Sequence, residues 1–291
     1  MDWGLAFDIG EWVIRIIMIP VVAREHRAQV ALAWLGVILL VPFVGLPLYL
    51  LFGEYNLRHR VKAHEEIRGE VEARERLRQQ APSLLHPDFT RPVRDLARLT
   101  GSLTAHGAFP VVDGNAVQLI EGQREGIERV LEDIERAERH VHLLFFLFNG
   151  DDTGRRVGEA LIRAVQRGVR CRLLVDPVGS GITAEPSFFR TLKGPLEEQG
   201  VEVRSTMPVR LLRRPLARLD IRNHRKIVVV DGRVAYTGSL NIHDPGFGLE
   251  DGEWRQLTVR LEGPAVEQLQ LLFVEDWRAA GGELLSGLDY F

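Results

Sequence analysis

Most of the side chains that could act together in catalysis lie in one segment, residues 223–241, where two apolar runs flank Asp231-Gly232. An Asp-Gly pair between β-branched runs predicts a β-hairpin with a two-residue turn. Asp231 falls in that turn. This position suggests an orienting or structural role rather than direct attack on a substrate.

The predicted hairpin brings polar side chains of its two strands together. In this register the expected cross-strand pairs are His224 with Ser239, Lys226 with Thr237, and Arg222 with Asn241. Paired residues share a face of the sheet, as do residues two apart along one strand. The polar members of these pairs are therefore expected to converge. They suit a phosphodiester site, because the imidazole can attack phosphorus or transfer a proton while the donors hold the non-bridging oxygens.

The elements that must position this segment are strands and helices in alternation. From Val111 onward the sequence predicts strands over HVHLLFFLF, CRLLVD and VEVRS, two more around Asp231, and one over about 254–261. Helices are expected over 121–139, 153–168 and about 186–199, and a last one from Gly263 to Ala280. Continuous apolar strands that alternate with helices indicate an α/β layer sandwich with a largely parallel or mixed sheet.

The N-terminus differs in composition from the rest of the chain. Residues 28–53 carry no charge and are long enough for a transmembrane span, which Pro42 and Pro47 are expected to kink. Residues 3–22 are predicted to form a first span or an interfacial helix. The cations of 58–62 after the long span favour a cytoplasmic position for the remainder of the chain. The predicted domains are an anchor over 1–55, a charged stalk and linker over 56–108, and a catalytic unit over 109–291.

Composition excludes several classes of protein. The 291 residues have a net charge of −3, without the basic excess of a general nucleic-acid binder. A single cysteine, Cys171, excludes an internal disulfide framework and a cysteine-rich zinc site. His140 and His142 could form a metal pair, but no acidic cluster accompanies them, so ordinary strand packing is the preferred interpretation.

The spacing of the motif resembles that of a known superfamily. His224-x-Lys226-x4-Asp231-x6-Gly238-Ser239-x-Asn241 resembles the signature of phospholipase D enzymes, and the stretches LLFFLFNGDDTGRRVGEALIRAVQRGVRCRLLVDPVGS and VRLEGPAVEQLQLLFVEDW resemble bacterial cardiolipin synthases of that type. The resemblance implies a phospholipase D-like α/β/α sandwich behind a membrane anchor. It also implies transfer of a phosphatidyl group between two phosphatidylglycerol molecules through a phosphohistidine, at the bacterial plasma membrane.

The resemblance also implies roles for individual residues. His224 is expected to act as nucleophile or acid/base, Lys226 and Asn241 to bind phosphate, and Ser239 to support them. We place Asp231 in the catalytic group and Arg222 among the phosphate-binding residues. Gly238 is expected to support the site, and so is Asp176, which ends a buried strand where α/β proteins commonly place ligand loops. No metal or organic cofactor is implied.

Two departures from the family pattern qualify this interpretation. The family's site uses two such motifs and the chain contains one, so a homodimer or a partner chain is expected to supply the second histidine. The acid that often follows the motif is replaced by Gln256, and Glu253 is expected to point to the other face of its strand. Two alternatives therefore stay open: a phosphodiesterase that uses water as acceptor, and a half without activity of its own.

Overall fold

The computed structural model describes residues 3–26, 28–53, 109, 112, 114–182, 186–206, 222–249, 251–285 and 290. The chain divides into a helical unit, Met1–His59 with Met207–Arg222, and an α/β unit, Arg60–Thr206 with Asn223–Phe291. The predicted stalk and linker lie outside the described residues.

The described part of the helical unit contains three α-helices and a short π-helical turn. Helix α1 spans Trp3–Glu25, α2 spans Ala28–Leu40 and α3 spans Pro42–Leu48, and the π-helical turn Tyr49–Gly53 follows. Helix α2 ends because Val41, with φ −137° and ψ 77°, leaves the helical conformation before Pro42, which occupies the first turn of α3.

The segment 28–53 is thus not one continuous helix, as a single span requires. A Cβ atom added to Gly45 would lie 2.6 Å from the Cα atom of Ile38. In a straight helix these residues are two turns apart, so α3 turns back against α2. The predicted kink at Pro42 occurs as a helix break, whereas Pro47 lies inside α3. Among the described residues, no helix is both long enough and apolar enough to cross a membrane.

A mixed sheet forms the centre of the α/β unit. Its seven strands, in chain order, are β1 (Ala116–Glu121), β2 (His140–Phe145), β3 (Arg170–Val175), β4 (Glu202–Ser205), β5 (Ile227–Val230), β6 (Val234–Gly238) and β7 (Leu257–Glu262). The spatial order among these described strands is β1-β7-β6-β5-β2-β3-β4. Strands β2, β3 and β4 are parallel, and the remaining neighbours are antiparallel.

Helices cover both faces of this sheet and bury its central strands. The helices in the described residues of this unit are α4 (Gln123–Arg136), α5 (Asp152–Gln166), α6 (Phe188–Thr191), α7 (Lys193–Glu198) and α8 (Ala265–Ala279). On one face Val141 and Leu143 of β2 pack in the core that α4 and α5 cover, and on the other face Leu144 packs with Phe273 and Trp277 of α8. The predicted α/β sandwich with a mixed sheet is confirmed, and all six residues of β2 are buried.

Candidate active site

The motif hairpin exists, but its register differs from the prediction by one residue. Ile227 pairs with Thr237 and Val230 with Val234, so the loop contains three residues, 231–233. Asp231 and Gly232 both have a positive φ, and the Arg233 amide donates to the Val230 carbonyl at 3.0 Å. The expected cross-strand pairs of His224, Lys226 and Arg222 were therefore wrong, because Arg233 belongs to the loop.

Asp231 lies at the turn end of the hairpin and fixes the start of β2. Its carboxylate accepts hydrogen bonds from the backbone amides of Glu138, Arg139 and His140 at 2.9, 2.7 and 2.9 Å. The Asp231 amide donates in turn to the His140 carbonyl at 2.9 Å. The residue is buried, so this carboxylate holds two neighbouring strands together at the end of the hairpin that is opposite His224.

His224 lies at the open end of the hairpin, just before β5, and its side chain is exposed. Its ring stacks on Phe146, with ring centroids 4.1 Å apart and an interplanar angle of 23°. Phe146 directly follows β2 and is half-buried. Within the described part of the chain, the imidazole nitrogens of His224 have no hydrogen-bond partner. The ring is therefore held by its face while both nitrogens stay available.

Lys226 shares this environment. Its Nζ lies 5.9 Å from the centre of the Phe146 ring and donates to the His224 carbonyl at 2.8 Å. Partial burial lowers the pKa of this ammonium from that of a free lysine, because desolvation disfavours the charged form. A phosphate oxygen at this position would favour the charged form and would receive the remaining N–H donors.

Asn241 reaches the same place from β6. Its Oδ1 accepts a hydrogen bond from the amide of Leu147 at 3.4 Å, and the chain beyond it pairs with residues 147–149 through Ile242. His224, Lys226 and Asn241 thus contact two consecutive residues, Phe146 and Leu147, at the end of β2. Three of the five side chains that were expected to converge therefore lie around the same end of β2.

Ser239 does not join this group. Its hydroxyl accepts from the Leu257 amide at 2.9 Å and donates to the Leu257 carbonyl at 3.3 Å, so it joins β6 to the start of β7. The preceding Gly238 has a φ of 137°, and a Cβ atom there would overlap the Leu257 carbonyl oxygen. The predicted facing of Ser239 and His224 was therefore wrong. Gly238 instead allows the close approach that redirects the chain toward Asn241.

The two other predicted residues are Asp176 and Arg222. Asp176 is fully buried, and its carboxylate accepts from the amides of Val178 and Gly179 at 2.9 and 3.3 Å. Its loop supports the site, because the Ser180 hydroxyl donates to the Phe146 carbonyl at 3.0 Å. Arg222 is half-buried and lies outside the paired part of the hairpin, which begins at Ile227.

Sequence reasoning missed Phe146 and Asp276. Phe146 is the platform under His224, and its only signal was its position at the end of a buried strand. Asp276 in α8 accepts hydrogen bonds from Asn223 and Arg225, the two neighbours of His224. Glu253 lies before β7 and not on a strand, and it pairs with Arg124 at 3.1 Å. The Gln256 carbonyl accepts from the Gly122 amide at 2.9 Å.

The two histidines of β2 pack inside the unit. His142 stacks on Phe273, with centroids 4.5 Å apart, and one of its ring nitrogens lies 3.3 Å from Arg172. Burial lowers the pKa of His140 to about 4 and that of His142 well below its usual value, so both are neutral near pH 7. Within the described ranges no group of three or more histidine, cysteine, aspartate or glutamate residues could hold a metal ion.

Comparison with known proteins gives two family matches. The family model described as "Cardiolipin synthase, PLD-like domain" matches residues 130–277. This match covers more than half of the chain and includes the whole motif. The model described as Phospholipase_D-nuclease N-terminal matches residues 12–54.

Individual relatives extend over most of the chain. Major cardiolipin synthase ClsA of Bacillus subtilis (strain 168) is 35% identical over 91% of this chain and 55% of its own length. Cardiolipin synthase A of Edwardsiella ictaluri (strain 93-146) is 31% identical over 97% of this chain and 57% of its own length. The chain therefore spans little more than half the length of these relatives. Among solved structures, the phospholipase D family member Nuc from Salmonella typhimurium aligns at 17% identity with a TM-score of 0.42, over 60% of this chain and all of that one.

Proposed function

The chain belongs to the family of PLD-like cardiolipin synthase domains, and from this premise we propose that it is one catalytic half of a membrane-bound phosphatidyltransferase. The proposed substrate is phosphatidylglycerol, which serves as donor and as acceptor, and the products are cardiolipin and glycerol. The observation that carries the proposal is the grouping of an exposed imidazole with an ammonium and an amide around Phe146 and Leu147.

The proposed reaction has two steps. In the first step, an imidazole nitrogen attacks phosphorus and the bond from phosphorus to the headgroup glycerol oxygen breaks. A second, protonated imidazole donates its proton to that oxygen, and glycerol leaves. In the second, the same imidazole takes the proton from a hydroxyl of the acceptor lipid while its oxygen attacks phosphorus and the phosphorus–nitrogen bond breaks. His224 suits either role, because stacking fixes its ring plane and leaves its nitrogens available.

Lys226 and Asn241 are the proposed phosphate ligands. A pentacoordinate phosphorus carries more negative charge on its non-bridging oxygens than the starting diester does, and fixed donors stabilise that charge. The ammonium and the amide NH₂ can supply such donors beside His224. Asp231, Gly238 and Asp176 act in this proposal through the backbone, and Ser239 through its bonds to Leu257.

The second imidazole must come from outside the motif of residues 224–241. The motif occurs once in the sequence, and the chain spans 55 and 57% of the two cardiolipin synthases compared above. We propose that a second copy of the chain supplies the second His224, with a separate motif-bearing chain as the alternative.

The helical unit supports a position at the membrane. Large apolar side chains on α1 and α2 are exposed, among them Trp12 at 61%, Ile16 at 65% and Leu32 at 70%. Clustered exposed apolar side chains of this kind are typical of lipid or protein contact. Arg15 pairs with Glu11 at 2.8 Å, which lowers the cost of placing both charges near lipid. We propose that this unit anchors the chain in the bacterial plasma membrane, with the α/β unit on the cytoplasmic side.

The experiment that tests this function follows products in vesicles of phosphatidylglycerol. The full chain is reconstituted alone in one arm and, in a second arm, with the unmatched remainder of the Bacillus subtilis relative as a separate chain. Mass spectrometry then measures cardiolipin, glycerol and phosphatidic acid. We expect equimolar cardiolipin and glycerol that depend on His224. Absence of turnover in both arms would overturn the proposal.

Hydrolysis is the second candidate, because His224 is exposed and water can reach the same phosphorus. The same assay separates the two reactions. Phosphatidic acid without cardiolipin would identify a phosphodiesterase that uses water as acceptor.

A further inference from the structure

One buried carboxylate holds both sequence neighbours of His224. Asp276 lies near the end of α8 and is 8% exposed. Its Oδ2 accepts a hydrogen bond from Nδ2 of Asn223 at 2.8 Å and another from the guanidinium of Arg225 at 2.7 Å. The Asn223 side-chain oxygen also accepts from the Arg225 amide at 3.1 Å, which closes the small network.

The contacts of its two neighbours explain why this network acts on His224. Asn223 and Arg225 both bind Asp276 of α8, whereas the ring of His224 between them stacks on Phe146. The contacts of the two neighbours thus fix the backbone from which the imidazole extends.

The carboxylate is itself held rigidly. Phe273 and Trp277 of α8 are fully buried in the core beneath the sheet, so the helix cannot shift easily relative to β5. Asn223 is 7% exposed, so its bond to Asp276 is protected from water. Buried bonds of this kind keep their geometry better than exposed ion pairs.

We propose that Asp276 is a positioning residue for the chemistry of His224, acting through Asn223 and Arg225 and not by contact with the substrate. The proposal rests on the proposed function, because it assigns the carboxylate to the same reaction. Loss of the network would let residues 223–225 move, and the His224 ring would leave its place on Phe146.

The test compares Asp276→Ala and Asp276→Asn with a matched control, Asp133→Asn. Asp133 is a buried carboxylate that binds an arginine, Arg260, at 2.9 Å, but it makes no contact with residues 223–225. We expect Asp276→Ala to lower kcat for cardiolipin formation about 100-fold per folded molecule while KM stays unchanged, the size expected when a reacting group is misplaced by about 1 Å. Asp276→Asn keeps an acceptor for Asn223 and should recover part of the loss.

A chemical readout keeps the test independent of turnover. Diethyl pyrocarbonate modifies accessible imidazoles, and peptide mass spectrometry measures the rate at each histidine. We expect Asp276→Ala to speed modification of His224 several-fold, while the buried His140 and His142 stay protected and report that the variant is folded. Asp133→Asn should leave the His224 rate unchanged.

A second variant covers the case in which Asp276→Ala does not fold. Arg225 is nearly half exposed, so Arg225→Gln is expected to fold, and Asp276→Asn should add little in that background because the two residues act as one unit. Equal His224 reactivity in the wild type and in every Asp276 variant would overturn the inference. So would additive effects of the two substitutions. If the wild type forms no cardiolipin, the proposed function fails, and the reactivity measurement still decides the role of Asp276.

Discussion

The two ends of the β5–β6 hairpin carry residues of the same motif but differ in how their polar groups are used. At the turn end, Asp231 is buried and its carboxylate accepts three backbone hydrogen bonds. At the open end, His224 is exposed and its imidazole stacks on Phe146. A motif that reads as one unit in sequence thus joins a structural residue to a reactive one.

This difference has a physical reason. A buried carboxylate whose acceptor positions are filled by backbone amides contributes to stability, because its removal leaves those amides without partners. A reactive imidazole must keep its nitrogens available and therefore contributes little to stability. Substitutions at the two ends should therefore separate activity from stability.

The largest effect is expected at the open end. We expect His224→Ala to lower cardiolipin formation at least about 10³-fold, the scale seen when a nucleophile or general base is removed. The free energy of unfolding should change by no more than about 0.5 kcal/mol, because the side chain is exposed. Turnover of phosphatidylglycerol and urea unfolding measure the two quantities. A large loss of stability in this variant would contradict the separation.

The turn end should show the opposite behaviour. We expect Asp231→Ala to lower the free energy of unfolding by about 3 kcal/mol, because three amides at the start of β2 lose a charged acceptor. Asp231→Asn retains a carbonyl oxygen and should lose less. Activity per folded molecule should stay within a few-fold of the wild type. Full stability with no activity would instead place Asp231 in the chemistry.

Gly238 tests the bend between β6 and Asn241. We expect Gly238→Ala to destabilise the unit by about 2 kcal/mol, because the new Cβ overlaps the Leu257 carbonyl in addition to the strain of a φ of 137°. The matched control is Gly248→Ala, where φ is 73° but the surrounding space is open. Urea unfolding of both variants measures the difference. Equal losses would mean that the overlap at Leu257 has no cost.

Phe146 sharpens the description of the open end. Stacked aromatic pairs contribute about 0.5–1.5 kcal/mol beyond simple burial, so we expect Phe146→Leu to lower kcat by about 10-fold or less. The His224 modification rate should rise together with the loss of kcat. If Phe146→Leu changes neither kcat nor the modification rate of His224, the stacking does not position His224.

The smallest effect concerns pH. Burial lowers the pKa of Lys226, so its ammonium loses the proton at a lower pH than a free lysine does. If this ammonium binds phosphate, activity should decline on the alkaline side as Lys226 becomes neutral. Lys226→Arg stays charged and should move the decline to higher pH, with only a modest change near neutral pH. The same alkaline decline in both proteins would assign it to another group.

Much of the α/β unit could be predicted from sequence because its signals are local. The apolar strand HVHLLF and the helix after Asp151 lie within a few residues of their predicted positions. The hairpin register could not be predicted to the residue. Asp-Gly favours a two-residue turn, but the bonds between Asp231 and the start of β2 are tertiary contacts that sequence spacing does not contain.

The site residues that the hairpin itself positions could be predicted from the sequence. The residues that are positioned by packing between distant elements were missed. His224, Lys226 and Asn241 all contact the end of β2, at Phe146 or Leu147. Ser239 instead turns to Leu257 because Gly238 bends the chain. Asp276 lies more than fifty residues from His224 in sequence, and no local pattern connects them. The presence of Pro42 predicted a kink near Val41, where the helix breaks. The reversal of α3 could not be predicted, because it depends on packing against α2.

The central claim is that His224 at the open end of the hairpin reacts with phosphorus. The most direct test is to incubate the chain alone with phosphatidylglycerol vesicles, quench it at alkaline pH, where phosphohistidine survives, and map the adduct by peptide mass spectrometry. In a dimer of this chain every adduct must lie on His224, so we predict a phosphatidyl group on that residue and on no other histidine. Cardiolipin formation with His224 unmodified, or with the adduct on another residue, would contradict the account.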